Sequence, residues 1–123
     1  MLRSSPASLF LLVLRSHPPE GLREFLRALG LEFVTEQHGT GPVHYATRVG
    51  GLVLEIYPDS QTEIAASAPR LGFAVANLAE TIPRLEAAGG VVVSSPRPTE
   101  WGLRAVLRGP DGRPVELYER DGG

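Results

Sequence analysis

Apolar residues recur along this chain with two different periods, and the switches between them mark out its elements. Leu52-Val53-Leu54-Glu55-Ile56-Tyr57 and Arg113-Pro114-Val115-Glu116-Leu117-Tyr118 have the alternation of strands. Residues two apart on a strand share a face, so Glu55 points with Val53 and Tyr57, and Glu116 with Pro114 and Tyr118. The opposite faces, Leu52/Leu54/Ile56 and Val115/Leu117, are apolar and require a core. Leu22, Phe25, Leu26 and Leu29 instead follow the i, i+3, i+4, i+7 spacing of an amphipathic helix, and Gly30 follows as its stop. A second helix is expected over Leu78–Ala88, with Asn77 as N-cap and Leu78, Ile82 and Leu85 turned inward. Pro83 lies deep in that stretch and implies either a later start or a kink.

The remaining strands follow from shorter patterns. Ser8–Leu14 is continuously apolar in its second half and reads as a strand buried on both faces. Leu31–His38 alternates in part, and Gly39-Thr40-Gly41-Pro42 is a turn. Val43–Val49 and the strand from Leu52 form a hairpin about Gly50-Gly51. Further on, Leu71–Ala76, Val91–Ser94 and Leu103–Leu107 read as strands, with Ser95–Gly102 a long loop and Pro110-Asp111-Gly112 a turn. Met1–Ala7 is a polar lead-in, and Pro58–Pro69 a small-residue linker in which Ile64-Ala65-Ala66 could form a helical turn.

Each half thus reads strand–helix–strand–strand–strand, over 8–57 and 70–120, with the linker at 58–69. Register supports a duplication: Gly30 to Glu55 is 25 positions and Gly90 to Glu116 is 26. The fold class expected is α+β, two βαβββ modules in one structural domain.

Composition narrows the chemistry. The chain has 123 residues, enough for one domain with a core. A net charge of −2 argues against nucleic acid and anionic membrane as partners. All 12 basic residues are arginine and there is no cysteine. Schiff-base chemistry, a phosphate-loop lysine, thiolate catalysis and cysteine-held metals are therefore excluded. The apolar run Leu9–Leu14 is too short for a membrane span or a signal segment, so a cytoplasmic location is expected by default.

Three histidines show no ligand spacing, and His17 and His38 are expected to face solvent. His44 lies on a strand beside that of Glu55; a solvated face is the expectation, and a place in a cleft is the alternative. Trp101, the one tryptophan, ends the long loop and either stacks on a ligand or plugs the fold. Tyr57 and Tyr118 share faces with their glutamates and either orient a ligand or bond internally.

The two modules, closing as Val-Leu-Glu-Ile-Tyr and Pro-Asp-Gly-Arg-Pro-Val-Glu-Leu-Tyr, resemble the vicinal oxygen chelate superfamily. That superfamily includes glyoxalase I, bleomycin-resistance proteins and extradiol dioxygenases. The resemblance covers Ser8–Arg120 and implies that the modules curl into half-barrels of mixed sheet around a cleft. It also implies a small-molecule ligand and, commonly, a homodimer. Metal-dependent members take a His and a Glu from each module. Here both glutamates are present, Glu55 and Glu116, but the matching first-strand positions fall at Phe10 or Leu11 and at Arg70. Two carboxylates without imidazole hold a divalent ion weakly, and Arg70 would take the cation's place. The resemblance therefore implies a ligand cleft of Glu55, Arg70, Glu116, Trp101, Tyr57, Tyr118 and His44 with no cofactor. The alternative is a lyase, isomerase or dioxygenase with a metal on Glu55 and Glu116.

Overall fold

The computed structural model describes residues 5–120. In chain order the elements are β1 (Leu11–Ser16), α1 (Pro19–Arg27), β2 (Val34–Glu36), β3 (His44–Val49), β4 (Leu52–Pro58), β5 (Leu71–Val75), α2 (Leu78–Ala87), β6 (Val91–Thr99), β7 (Gly102–Arg108) and β8 (Pro114–Glu119). Residues 1–4 of the lead-in lie outside the described residues. The strands form two four-stranded mixed sheets of the same design, ordered β1-β4-β3-β2 and β5-β8-β7-β6. In each, the first strand pairs parallel to the last and the other pairings are antiparallel. These are the two βαβββ modules of the glyoxalase fold. Between them, residues 59–70 carry no helix or strand; a single turn, Ala68 N–H to the Ala65 carbonyl at 3.0 Å, occupies the stretch where a helical turn was expected.

Register makes the duplication concrete. Val13 and Ala46 flank Glu55, and Gly72 and Val106 flank Glu116. Counting outward from the glutamates, Leu11 matches Arg70 and His44 matches Arg104. The two first-strand positions at which the resemblance implies histidine thus hold a leucine and an arginine.

One face of each sheet is covered by its helix. Leu22, Phe25 and Leu26 of α1 and Leu78 and Leu85 of α2 are buried against Leu14, Leu54, Ile56, Leu107, Val115 and Leu117 in a single core. Burial of this kind, at about 1.5–3 kcal/mol for each large aliphatic side chain, is what drives the fold. The helices pack at the junction of the modules: the Phe25 ring lies against Gly90 and Gly109, and Pro110 against Gly21 and Gly89.

Three expectations are corrected, and one alternative is decided. The first strand is not buried on both faces. It begins at Leu11, its Leu14 and Ser16 face the core, and Leu11 and Val13 are exposed on the side no helix covers. The second strand is confined to Val34–Glu36. Ser95–Gly102 is not a loop: β6 runs on to Thr99 through two register shifts, and the reversal is a tight turn at Glu100-Trp101. Pro96 and Pro98 are tolerated there because β6 is an edge strand, whose outward side has no ladder bond to lose. Helix α2 starts at Leu78 with Pro83 inside it, so a later start is set aside. Asn77 caps it, accepting from the Glu80 N–H at 3.0 Å.

Candidate functional site

The helix-free face of each sheet carries the chemistry, because it is where the residues that alternate with the core side chains emerge. In the second module, Glu116 projects from the middle of β8 and is met from three sides. Arg70 Nε donates to its Oε2 at 2.9 Å, while Arg104 Nε and the Tyr118 hydroxyl donate to Oε1 at 2.9 and 2.8 Å. Both oxygens are thereby engaged. The Tyr118 hydroxyl first, then the two guanidinium groups, hold the Glu116 carboxyl below the usual range, against an opposing effect of partial burial. Its partner Arg104 is correspondingly held above the ordinary arginine value, first by Glu116. Trp101 tilts over Tyr118 with centroids 5.9 Å apart and is 64% exposed. It is neither the end of a long loop nor a plug: the turn that carries it is tied by Thr99, whose hydroxyl meets the Gly102 carbonyl at 2.7 Å.

In the first module the equivalent place is taken by a histidine. His44 is buried, 1% exposed, which corrects the expectation of a solvated face. Its ring stacks on Tyr57 at 4.1 Å and 9°. Nδ1 lies 3.2 Å from the Pro42 carbonyl, and Nε2 lies 3.2 Å from Glu36 Oε1 and 3.7 Å from Glu55 Oε2. His38 is exposed as expected but stands beside this group, its Nε2 at 3.9 Å from Glu36 Oε1. His17 is remote, facing the Asp59 carbonyl at 3.0 Å. Beside Glu55 opens a concavity of about 630 Å³ whose lining includes Val34, Glu36, Ala46, Arg48 and Val53.

The sequence expectations are therefore sorted by module. Arg70, Glu116, Tyr118 and Trp101 come together on one sheet; His44, Glu55 and Tyr57 come together on the other. Among the described residues no hydrogen bond or ion pair joins the two glutamates. Arg104, Glu36 and His38 were missed as members. Arg104 was findable, because a hairpin closing at Asp111 sets it opposite Tyr118.

A pair of carboxylates bridging the modules does not fit the superfamily's metal. Glu116 already spends both oxygens on arginines and a tyrosine, and the two matching histidine positions are Leu11 and Arg70.

The sequence over residues 11–117 matches the model of the Glyoxalase/Bleomycin resistance protein/Dioxygenase superfamily, and the chain belongs to that family. No curated protein matches the sequence. Among solved structures, a glyoxalase/bleomycin resistance protein/dioxygenase family enzyme from Burkholderia phytofirmans PsJN superposes with a TM-score of 0.73 at 16% identity, over 90% of this chain and 97% of that one. TnmS3, an antibiotic binding protein from Streptomyces sp. CB03234, gives 0.67 at 19% identity, over 94% and 98%. TioX from Micromonospora sp. ML1 gives 0.64 at 19%, over 90% and 97%. At such identities these structures share the fold. Among the described residues no helix is long and apolar enough to cross a membrane.

Proposed function

We propose that this chain binds a small organic ligand on the helix-free face, without the superfamily's usual metal centre. One observation carries the reading: the second-module glutamate is held by Arg70 and Arg104 where metal-dependent relatives would offer it to an ion. Each guanidinium gives its Nε to Glu116 and keeps its terminal N–H groups for a ligand oxygen, a geometry suited to a carboxylate or enolate. The exposed Trp101 ring beside Tyr118 adds a stacking surface for a flat, conjugated body. The matching ligand is an aromatic or polycyclic compound bearing an acidic oxygen. That TnmS3, of the same fold, is an antibiotic binding protein supports a small organic ligand.

Homodimerisation belongs to the same proposal. β1 is an edge strand, and Leu11 and Val13 on it, with Leu9 and Phe10 just before it, expose apolar side chains that a second copy would cover.

Trp101 is the only tryptophan, so intrinsic fluorescence reports on the site directly. Titration with a panel of aromatic carboxylates and polycyclic antibiotics is expected to quench or shift that emission for at least one compound. Arg104→Ala should weaken the response by about ten- to a hundredfold, as loss of one charge-assisted bond of about 1.5–3 kcal/mol implies. Emission that stays constant across the panel, or an undiminished response in the Arg104 variant, would sink the reading. Light scattering on the same samples should give twice the chain mass.

A second reading, a metal-dependent lyase, isomerase or dioxygenase, is favoured only by the approach of His44 to Glu55. Turnover by protein freshly loaded with a divalent ion, and its loss in Glu55→Gln, would establish it.

A further inference from the structure

We infer that the first module holds a divalent transition-metal ion of its own, on Glu36, His38 and His44. These ligands lie on β2, on β3 and on the turn between them, with Glu55 of β4 beside His44, and the site does not depend on the ligand proposed for the second module.

The argument starts at His44. A carbonyl oxygen only accepts, so the 3.2 Å contact with Pro42 places the imidazole hydrogen on Nδ1. Nε2 faces Glu36 Oε1 and Glu55 Oε2, two acceptors, at 3.2 and 3.7 Å. What joins these three atoms is either a proton on Nε2 or a metal ion, and the second imidazole of His38 beside Glu36 argues for the metal. The Tyr57 hydroxyl, 3.4 Å from Nε2, is part of a parallel ring stack and approaches from above the ring instead of along the lone pair.

The spacing approaches that of a coordination shell, and the exposed His38 side chain is the one that would move in. A tetrahedral zinc site with bonds of about 2.0–2.1 Å sets its ligand atoms about 3.3 Å apart. The ligand atoms of Glu36, His38 and His44 all lie within 4.8 Å of one another, with pair distances of 3.2 and 3.9 Å to Glu36. The His44 ring is already oriented by a backbone carbonyl on its far nitrogen, the support that metal-binding histidines ordinarily carry. Access is open, since the His38 side chain is 75% exposed and that of Glu36 36% exposed.

The turn bearing His38 is also built. Its carbonyl accepts the Gly41 N–H at 3.0 Å, the Gln37 amide reaches the Gly41 carbonyl at 2.9 Å, and Gly39 adopts φ 59°. Two imidazoles and carboxylate oxygen suit Zn²⁺, Co²⁺ or Ni²⁺ in preference to Mg²⁺ or Ca²⁺.

The test uses the untagged full chain titrated with Co²⁺, then Zn²⁺. One equivalent of Co²⁺ per chain should give the visible absorption of a low-symmetry site and be displaced by Zn²⁺. His38→Ala, which alters only an exposed side chain, should weaken binding about tenfold or more. Arg104→Ala should leave it unchanged. His44→Ala should abolish it, and a His44→Ala chain that fails to fold leaves the decision with His38→Ala. The absence of a Co²⁺ spectrum at millimolar ion overturns the inference. So does wild-type affinity in the His38 variant, or an equal loss in Arg104→Ala.

Discussion

Glu116 shows how much of a site can be decided by one side chain's partners. With a hydroxyl and two guanidinium groups on its oxygens, its folded-state pKa lies below the ordinary 4.5. The sign follows directly. As pH falls, the unfolded chain takes up this proton first, so the stabilisation is fully present above about 4.5 and is lost as pH drops through the lowered folded value. Urea unfolding from neutral to strongly acidic pH should therefore show wild type losing stability more steeply below 4.5 than Glu116→Gln, the two curves converging at the acid end. Curves that stay parallel through that range would mean the carboxylate gains nothing from its arginines.

The same scale explains why part of the site was legible and part was not. Glu55 and Glu116 stood out because each breaks an apolar strand at a matched position. Arg70 stood out because the resemblance puts it at a first-strand ligand position, while its partner was open between Glu55 and Glu116; in the structure it meets Glu116. His44 was misread because its burial comes from the flat stack on Tyr57 and from Glu36, a residue on a strand too short to be placed by pattern. Nothing in local spacing distinguishes a stacked histidine from a solvated one.

At the scale of elements, periodicity worked where one face is covered and failed where neither signal applied. The helices follow their stripes, and Asn77 caps α2 as its position suggested. The apolar run into β1 read as doubly buried because Leu9, Phe10, Leu11 and Val13 look like core; Leu9 and Phe10 precede the strand and are exposed, and Leu11 and Val13 lie on its outer side. Prolines in β6 read as loop because pattern alone does not reveal which strand will be the edge.

Gly90 illustrates a constraint that looks like a mere helix stop. A Cβ there would lie 2.7 Å from Phe25 Cε1 and 2.8 Å from the Leu85 carbonyl oxygen. The first is a core ring from the other module and the second is backbone, so neither yields cheaply. Gly90→Ala is expected to cost about 1–3 kcal/mol, the range for overpacking a filled core. A denaturation midpoint equal to wild type would show that the two helices can part at no cost. Gly30, whose added Cβ would meet nothing, serves as its control for conformation alone, since its φ of 94° is strained for other residues.

For the molecule as a whole, the joint between modules rests on a buried charge pair as well as on apolar packing. Arg113, 1% exposed, sits in the last hairpin and sends its terminal nitrogen to the Arg15 carbonyl of β1 at 2.8 Å. Its Nε faces Asp111 Oδ2 at 3.4 Å, and that same oxygen accepts from the Ser16 hydroxyl at 2.8 Å. The hairpin that closes the second module is thus latched to the first strand of the first, across almost the whole length of the chain. Removing one member of such a pair leaves the other charge buried alone, which costs about 3–5 kcal/mol, whereas replacing both with apolar groups is often nearly neutral. Asp111→Ala should therefore destabilise strongly, and adding Arg113→Met to it should recover most of the loss. The measurement is a double-mutant cycle by chemical denaturation. A double variant as unstable as the sum of the two single ones would show that the residues act independently, and that packing of Phe25 and Pro110 alone joins the modules.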